Sequence, residues 1–405
     1  MLPIHQAIEA LRQGNMIIVT DDPARENEGD LVILSEHIQP KDMNFIIRHT
    51  SGIVCVTIDQ ATATRLQLEP MVSPGHNTSL RETPFTVSVD AKDGISTGVS
   101  ADDRTRAVKI MRDQNTGPDD LVKPGHLFPL VAKPRGVLQR QGHTEAAFDL
   151  AMLATQGESG QAVLCELMNE DGSMMRGEAL HAFAKKNGLL IISIAELIHY
   201  RRSHENHLEL MATTPLPLEN YGEFECRVFR ELDTDREHLV LSKPNTTQQA
   251  PLIRIHSSCM TGDIFHSLRC DCHEQLHHAL KRVSEEGGMV IYLNQEGRGI
   301  GLGNKIKTYA LQNQGIDTVQ ANLNLGLPAD AREYHVAANI LRLDDCHHVR
   351  LLTNNPTKVQ GLIDYGVEKV DREPMPVFAT AHNQQYLSTK RDRLNHHIDL
   401  PHQKK

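Results

Sequence analysis

Short apolar runs alternate with amphipathic stretches along nearly the whole 405-residue chain, and this alternation limits the fold more than any other feature. MIIVT at 16–20, GIVCVTI at 52–58, FTVSV at 85–89, AVLCEL at 162–167, MVIYL at 289–293 and VRLLT at 349–353 are too short for buried helices and predict strands. Residues 4–13 carry Ile4, Ile8 and Leu11 on one helical face. Residues 177–188, 274–288, 305–315 and 356–366 predict further helices, the first stopped by Gly188 and the last opened by Pro356. Such a chain is neither all-helical nor all-strand. It reads as α+β, or mixed α/β, with each half a mixed sheet packed with helices. The alternation breaks once, at RRSHENHLELMATTPLPLENYGEF (201–224), a polar stretch with two prolines that reads as a linker into a new strand. Two domains are therefore expected, 1–202 and 203–405, and the last residues, 395–405, read as a frayed tail.

Composition removes several classes. No apolar run approaches the ~18 residues a membrane helix needs. The opening residues are charged and lack the apolar core of a signal peptide. Seven irregularly spaced Cys argue against a secreted disulfide framework and for a reducing, cytoplasmic setting. A net charge of −10 disfavours nucleic acid as a partner, so any phosphorylated ligand must be held by local Arg, Lys and backbone N–H groups.

Directly after the first strand lies DDPARENEGD (21–30), with five carboxylates and one Arg. It is either a solvated charged loop or a site for a hard cation; its place at a strand's carboxyl end favours the second. RQGHTEAAFDL (140–150) opens a helix. Arg140, the Gly142 backbone and Thr144 could cradle a phosphate there, or Thr144 and Glu145 could simply cap the helix. His143 is a metal ligand or acid/base candidate, and His126 in PGHLFPL a weaker one. Glu166, ending an apolar strand, is costly unless paired or working.

These motifs, with SGIVCVTI, FTVSVDAKDGISTGVSADDR and VLCELMNEDGSM, resemble 3,4-dihydroxy-2-butanone 4-phosphate synthase over nearly all of residues 1–202. The resemblance implies conversion of ribulose 5-phosphate to 3,4-dihydroxy-2-butanone 4-phosphate and formate. It implies Mg²⁺ (or Mn²⁺) on Glu26 and His143, and substrate on Arg25, Glu26, Asp30, Arg140, Gln141, Gly142, His143, Thr144 and Glu166. His126 and Glu166 would be the catalytic groups. Gln141 departs from the family's usual Arg or Gly.

The second half carries Cys259, Cys270 and Cys272 in a C-x10-C-x-C arrangement. Clustered thiols in a cytosolic chain favour Zn²⁺ over disulfides, and three without a fourth suggest an open, catalytic position. His256, His273, His277 and His278 lie close enough in sequence to close it, and three ordinary buried thiols remain the alternative. NQEGRGIGLGNK (294–305) is a Gly-rich turn or a phosphate loop, matching no standard phosphate motif. Asp330 and Arg332 read as lying at a helix start, and Thr353 and Lys358 flank an Asn-Pro turn.

Together these segments resemble GTP cyclohydrolase II over roughly 208–390. That resemblance implies Zn²⁺ on the three Cys, imidazole-ring opening of GTP, loss of C8 as formate, and pyrophosphate release. GTP contacts would come from Arg254, Ile255, His256, Ser257, Ser258, Gln275, Glu296, Gly297, Arg298, Thr318, Thr353 and Lys358. Asp330 would accept a proton, and Arg332 would be the family's nucleophile or, alternatively, an electrostatic stabiliser. Ser258 and Asn294 stand where the family usually has Glu and Arg. The sequence thus reads as a bifunctional enzyme, a homodimer by analogy. A monofunctional synthase with a degenerate nucleotide-binding half, and a zinc-stabilised interaction or nucleic-acid-binding protein, are the alternatives.

Overall fold

The computed structural model describes residues 2–73 and 75–398, and the chain divides into two compact units, Met1–Arg201 and Arg202–Lys405. Both are mixed α/β.

In the first unit the strands are β1 (Ile17–Thr20), β2 (Gly29–Leu34), β3 (Cys55–Ile58), β4 (Val89–Ala91), β5 (Leu121–Val131), β6 (Ala162–Glu166) and β7 (Leu190–Ser193). They form one mixed sheet in the order β4-β5-β3-β6-β2-β1-β7. Side chains alternate faces along a strand, so Ile18, Leu31, Ile33 and Val163 enter one core while Ile17, Val19, Val32 and Leu164 enter another. Helices cover both faces. Met43, Ala107, Val108 and Leu180 pack on the first, and Ile4, Leu11, Ala147, Leu150 and Leu197 on the second. All six residues of β2 are buried, the near-continuous apolar pattern of a strand covered on both sides.

The second unit holds β8 (Leu208–Leu218), β9 (Gly222–Glu231), β10 (Glu237–Lys243), β11 (Leu252–Ser257), β12 (Gly288–Leu293), β13 (His348–Leu352) and β14 (Lys369–Glu373), in the order β14-β13-β11-β12-β10-β9-β8. β8 to β10 are antiparallel, whereas β12, β11, β13 and β14 run parallel. The helix Cys272–Glu286 covers one face through Ala279 and Val283, and helices His335–Leu343 and Pro356–Asp364 cover the other.

Several sequence expectations need correction. The polar stretch at 201–224 is no linker: the helix Ile194–His204 runs into it, and β8 pairs with β9 from Leu208↔Glu231 to Leu218↔Gly222. Its exposed outer side explains the polar composition. FTVSV is strand only at its last residue: Phe85 and Thr86 make isolated bridges to Leu130 and Pro70, and β4 begins at Val89. Asp330 and Arg332 precede their helix, which starts at His335. Of the expected frayed tail, residues 399–405 lie outside the described residues, while His397 N–H donates to Asn354 O and Ile398 is buried. Gly188 ends the helix Gly177–Asn187 at φ 66° as expected.

Candidate active sites

The carboxylate loop between β1 and β2 is organised around Asp21. Its side chain accepts from the Glu26 N–H at 3.0 Å and the Glu28 N–H at 2.9 Å, and pairs with Arg25 at 2.9 Å. Those bonds fold the loop so that Glu26 meets His143 at the first turn of helix His143–Ala154, with Glu26 Oε2 to His143 Nδ1 3.7 Å. Asp30 on β2 approaches His143 Nε2 from the other side at 3.8 Å and lies beside its β6 partner Glu166. One cavity is lined by Arg25, Glu26, Asp30, Arg140, His143, Thr144, Glu166 and the thiol of Cys165.

The electrostatics drive the two carboxyls of the site in opposite directions. Burial, reinforced by Glu166, Glu26 and Glu28, pushes Asp30 up to about 7. Burial alone would lower His143, but Asp30 and Glu26 overcome it and hold the imidazole up near 9. The nearby His143 imidazole, then the Arg25 guanidinium, keep Glu26 down at about 2. Asp30 Oδ1 and His143 Nε2 are buried without a hydrogen-bond partner, and donor atoms of Asp21, Glu26 and His143 gather within 4.8 Å of one another. That set of hard oxygens and one nitrogen suits a Mg²⁺-type ion.

Three expected residues stand apart. Gly142 is the helix N-cap, and neither it nor the exposed Gln141 lines the cavity. His126 lies on β5, its Nδ1 2.7 Å from Asp90, also outside the lining. Thr144 does not cap the helix, and Glu145 instead binds Arg140 at 2.6 Å.

In the second unit, Cys259 follows β11, and Cys270 and Cys272 flank the start of helix Cys272–Glu286. The sulfurs of Cys259 and Cys270 are 3.7 Å apart, and all three thiols lie within 4.8 Å. Gly262 leaves the room for this: a Cβ there would stand 2.8 Å from Cys270 Sγ and 3.0 Å from Cys259 Sγ. Lys305 Nζ sits 3.1 Å from Cys259 Sγ and 2.7 Å from Glu296. Hydrogen bonds from Cys270 and Cys272 hold the Cys259 thiol far below its usual range, whereas Cys270 is pushed up to about 11. The histidines do not join the cluster: His256 engages Asp263 at 3.1 Å, and the His273 ring stands against His266 and His277.

Around the thiols one large cavity gathers Arg254, His256, Ser257, Ser258, Gln275, Glu296, Gly297, Arg298, Thr318, Arg332, Thr353 and Lys358. Arg254 is fixed by Leu352 O at 2.9 Å and Gln275 at 2.7 Å, and Lys358 by Ile255 O at 2.7 Å. Ile255 itself is core, contributing only that carbonyl. The Gly-rich segment turns sharply, with φ near 60° at Gly297 and Arg298, before helix Leu302–Gln312. Asp330 pairs with Arg332 through Nε at 2.9 Å but stays out of the lining. Sequence reasoning missed Arg269, Asp271, Lys305, Tyr386, Lys390 and His396, which also line the cavity. Only Asp271, inside the CDC motif, carried a local signal.

A sequence model of 3,4-dihydroxy-2-butanone 4-phosphate synthase matches residues 5–200, and one of GTP cyclohydrolase II matches residues 209–374. The chain is 48% identical over 398 residues to the riboflavin biosynthesis protein RibBA of Cytophaga hutchinsonii, covering 98% of this chain and 97% of that one. The chain belongs to the RibBA family. The RibBA of Staphylococcus epidermidis is 47% identical, with 98% and 99% covered. A crystal structure of RibBX, a two-domain 3,4-dihydroxy-2-butanone 4-phosphate synthase from A. baumannii, matches with TM-score 0.66 at 32% identity over 92% of this chain and 99% of that one. Like other members of the RibBA family, the chain joins a synthase domain to a GTP cyclohydrolase II domain and is a bifunctional enzyme of riboflavin biosynthesis. Enzyme domains over both halves replace the reading of a zinc-stabilised interaction protein. No helix among the described residues is long and apolar enough to cross a membrane, and all seven Cys are free thiols.

Proposed function

We propose that residues 1–202 and 203–405 work as separate catalytic domains, each with its own site and metal. In the first, Glu26 and His143, with Asp21 beside them, would hold Mg²⁺ or Mn²⁺, which when bound would supply Lewis acidity to substrate oxygens. Arg25, Arg140 and Thr144 bind the phosphate and hydroxyls of ribulose 5-phosphate, and Gln141 and Gly142 border them. Asp30, poised near 7, and Glu166, hydrogen-bonded by Ser51 at 2.8 Å, are suited to move protons between carbon and oxygen atoms of the substrate. The pair His126–Asp90, outside its own chain's cavity, would serve the partner's cavity in a homodimer with shared sites.

In the second domain the donor set and the space left by Gly262 fit Zn²⁺ on Cys259, Cys270 and Cys272. Zn²⁺ held there would supply Lewis acidity and an activated water near neutral pH. Arg254, Arg298 and Lys358 hold the triphosphate, while Gln275, Thr318, Thr353 and the segment His256–Ser258 orient the nucleoside. Asp330 accepts a proton. The bidentate Asp330 pair favours a protonated Arg332, whose guanidinium stabilises negative charge rather than attacking phosphorus. Ser258 and Asn294 leave this cation set intact, which supports an active second site over a degenerate one. The observation that carries the reading is the convergence of three thiols and a cluster of cations on one cavity. The test is formate release measured separately from ribulose 5-phosphate and from GTP. Both are expected, and release from only the sugar would leave a monofunctional synthase.

A further inference from the structure

Past residue 374, where the cyclohydrolase match ends, the described chain continues to 398 and returns to the nucleotide cavity. The helix Gln384–Leu394 stops at Asn395, whose φ of 54° lies in the left-handed region that Asn tolerates. This reverses the chain. His396 then lines the cavity and the His397 N–H donates to Asn354 O at 2.9 Å. Asn354 is itself clamped, donating to Met375 O at 2.6 Å and accepting from Met375 N–H at 3.1 Å.

The helix contributes more than a wall. Lys390 is buried, with Nζ 2.9 Å from Asp271, the residue between two of the cysteines. Asp271 accepts from Gln275 at 2.7 Å, and Gln275 in turn accepts from Arg254 at 2.7 Å, so a continuous bonded path runs from the C-terminal helix to β11. The Tyr386 ring lies 4.3 Å from Lys390 Nζ and 5.7 Å from the Arg298 guanidinium. Among the described residues no carboxylate pairs with Arg254, Arg298 or Lys358, and both terminal nitrogens of Arg298 are buried without a hydrogen-bond partner. A cavity with several unneutralised cations is built for a polyanion. Burial, then the charges of Lys390, Arg332, Lys358 and Arg298, holds His396 down at about 2, so its imidazole can donate a hydrogen bond without adding to the repulsion.

We propose that Lys390, Tyr386 and His396 of the C-terminal segment are GTP-binding residues that complete the polyphosphate end of the cyclohydrolase site. This rests on the reading of the cavity as the GTP site. Lys390 meets the phosphates, Tyr386 spaces Lys390 from Arg298, and the neutral His396 donates to a phosphate oxygen.

The test is calorimetric titration of the full-length protein with GTP, pyrophosphate and guanosine. Lys390→Met is expected to weaken GTP and pyrophosphate about tenfold or more while leaving guanosine affinity unchanged. Equal weakening of all three ligands would make Lys390 merely structural and overturn the proposal. If Lys390→Met lowers the melting temperature, His396→Ala, which leaves every ion pair in place, must show the same selective loss. Unchanged affinity for GTP and pyrophosphate in both variants also overturns it. Binding is read apart from turnover, so wild-type protein that binds GTP without releasing formate refutes the proposed activity and leaves this test standing.

Discussion

Glu231, at the end of β9, lies at the centre of a buried ionic cluster, and Glu231→Gln should destabilise the second unit selectively. The carboxylate is fully buried. His335 Nε2 is 3.0 Å from one oxygen, and His238 at 3.5 Å and Arg236 at 2.9 Å approach the other. Burial alone would raise its pKa, but the two histidines, Thr234 and Arg236 hold it well below the ordinary 4.5. The cluster also reaches the site: the Asn294 N–H donates to His238 Nδ1 at 3.1 Å, anchoring the turn that carries Glu296. Breaking a buried ion pair costs about 3–5 kcal/mol; because the Gln carboxamide still offers an acceptor oxygen to these partners, the lower end applies here, about 3 kcal/mol. For a unit of this size that is a fall of about 6–12 °C in the second unit's melting temperature. A folded pKa below the unfolded one means the stabilisation is present above pH 4.5 and is lost as pH falls, so the gap between variant and wild type should shrink in acid. Calorimetry of the full chain across pH, with formate release from ribulose 5-phosphate as an internal control, reads both. A melting profile unchanged at neutral pH would refute the reasoning.

Glu26→Gln removes the charge that a cation beside His143 needs, so ribulose 5-phosphate turnover should fall by at least about a hundredfold while the melting temperature holds. A folded variant with undiminished turnover would contradict the site. Asp103 is held at about 2 by the Ser96 hydroxyl and N–H and the Gly98 N–H, a contribution present above pH 3.8 and lost as pH falls through 2. Asp103→Asn should therefore begin acid unfolding of the first unit at a higher pH, checked by circular dichroism; coincident titrations would dismiss the effect.

What the sequence showed and hid follows from the physics of each segment. Pro356 and Gly188 mark real helix ends because capping is local chemistry, and the Asn355 side chain caps the Pro356 helix through the Thr357 N–H at 3.0 Å. The buried β2 was hidden by the charged loop preceding it, and β8 by an outer side that meets solvent. Within each unit the motif residues come together because they sit at or near strand and helix ends: Asp30 and His143 with Glu26 of the β1–β2 loop in the first, and Cys259, Cys270 and Cys272 in the second. Lys390 and His396 could not be placed from sequence: they reach the cavity only through the reversal at Asn395 and the clamp at Asn354, contacts about 40 residues apart along the chain.

The most direct test of two independent sites is Cys270→Ser, read by zinc content, thermal unfolding and both formate assays. A hydroxyl is a poor zinc ligand, so the variant should lose its zinc and its formate release from GTP while ribulose 5-phosphate turnover and the first melting transition persist. A zinc-free variant that still opens the GTP ring, or one that loses both activities together, would contradict the account.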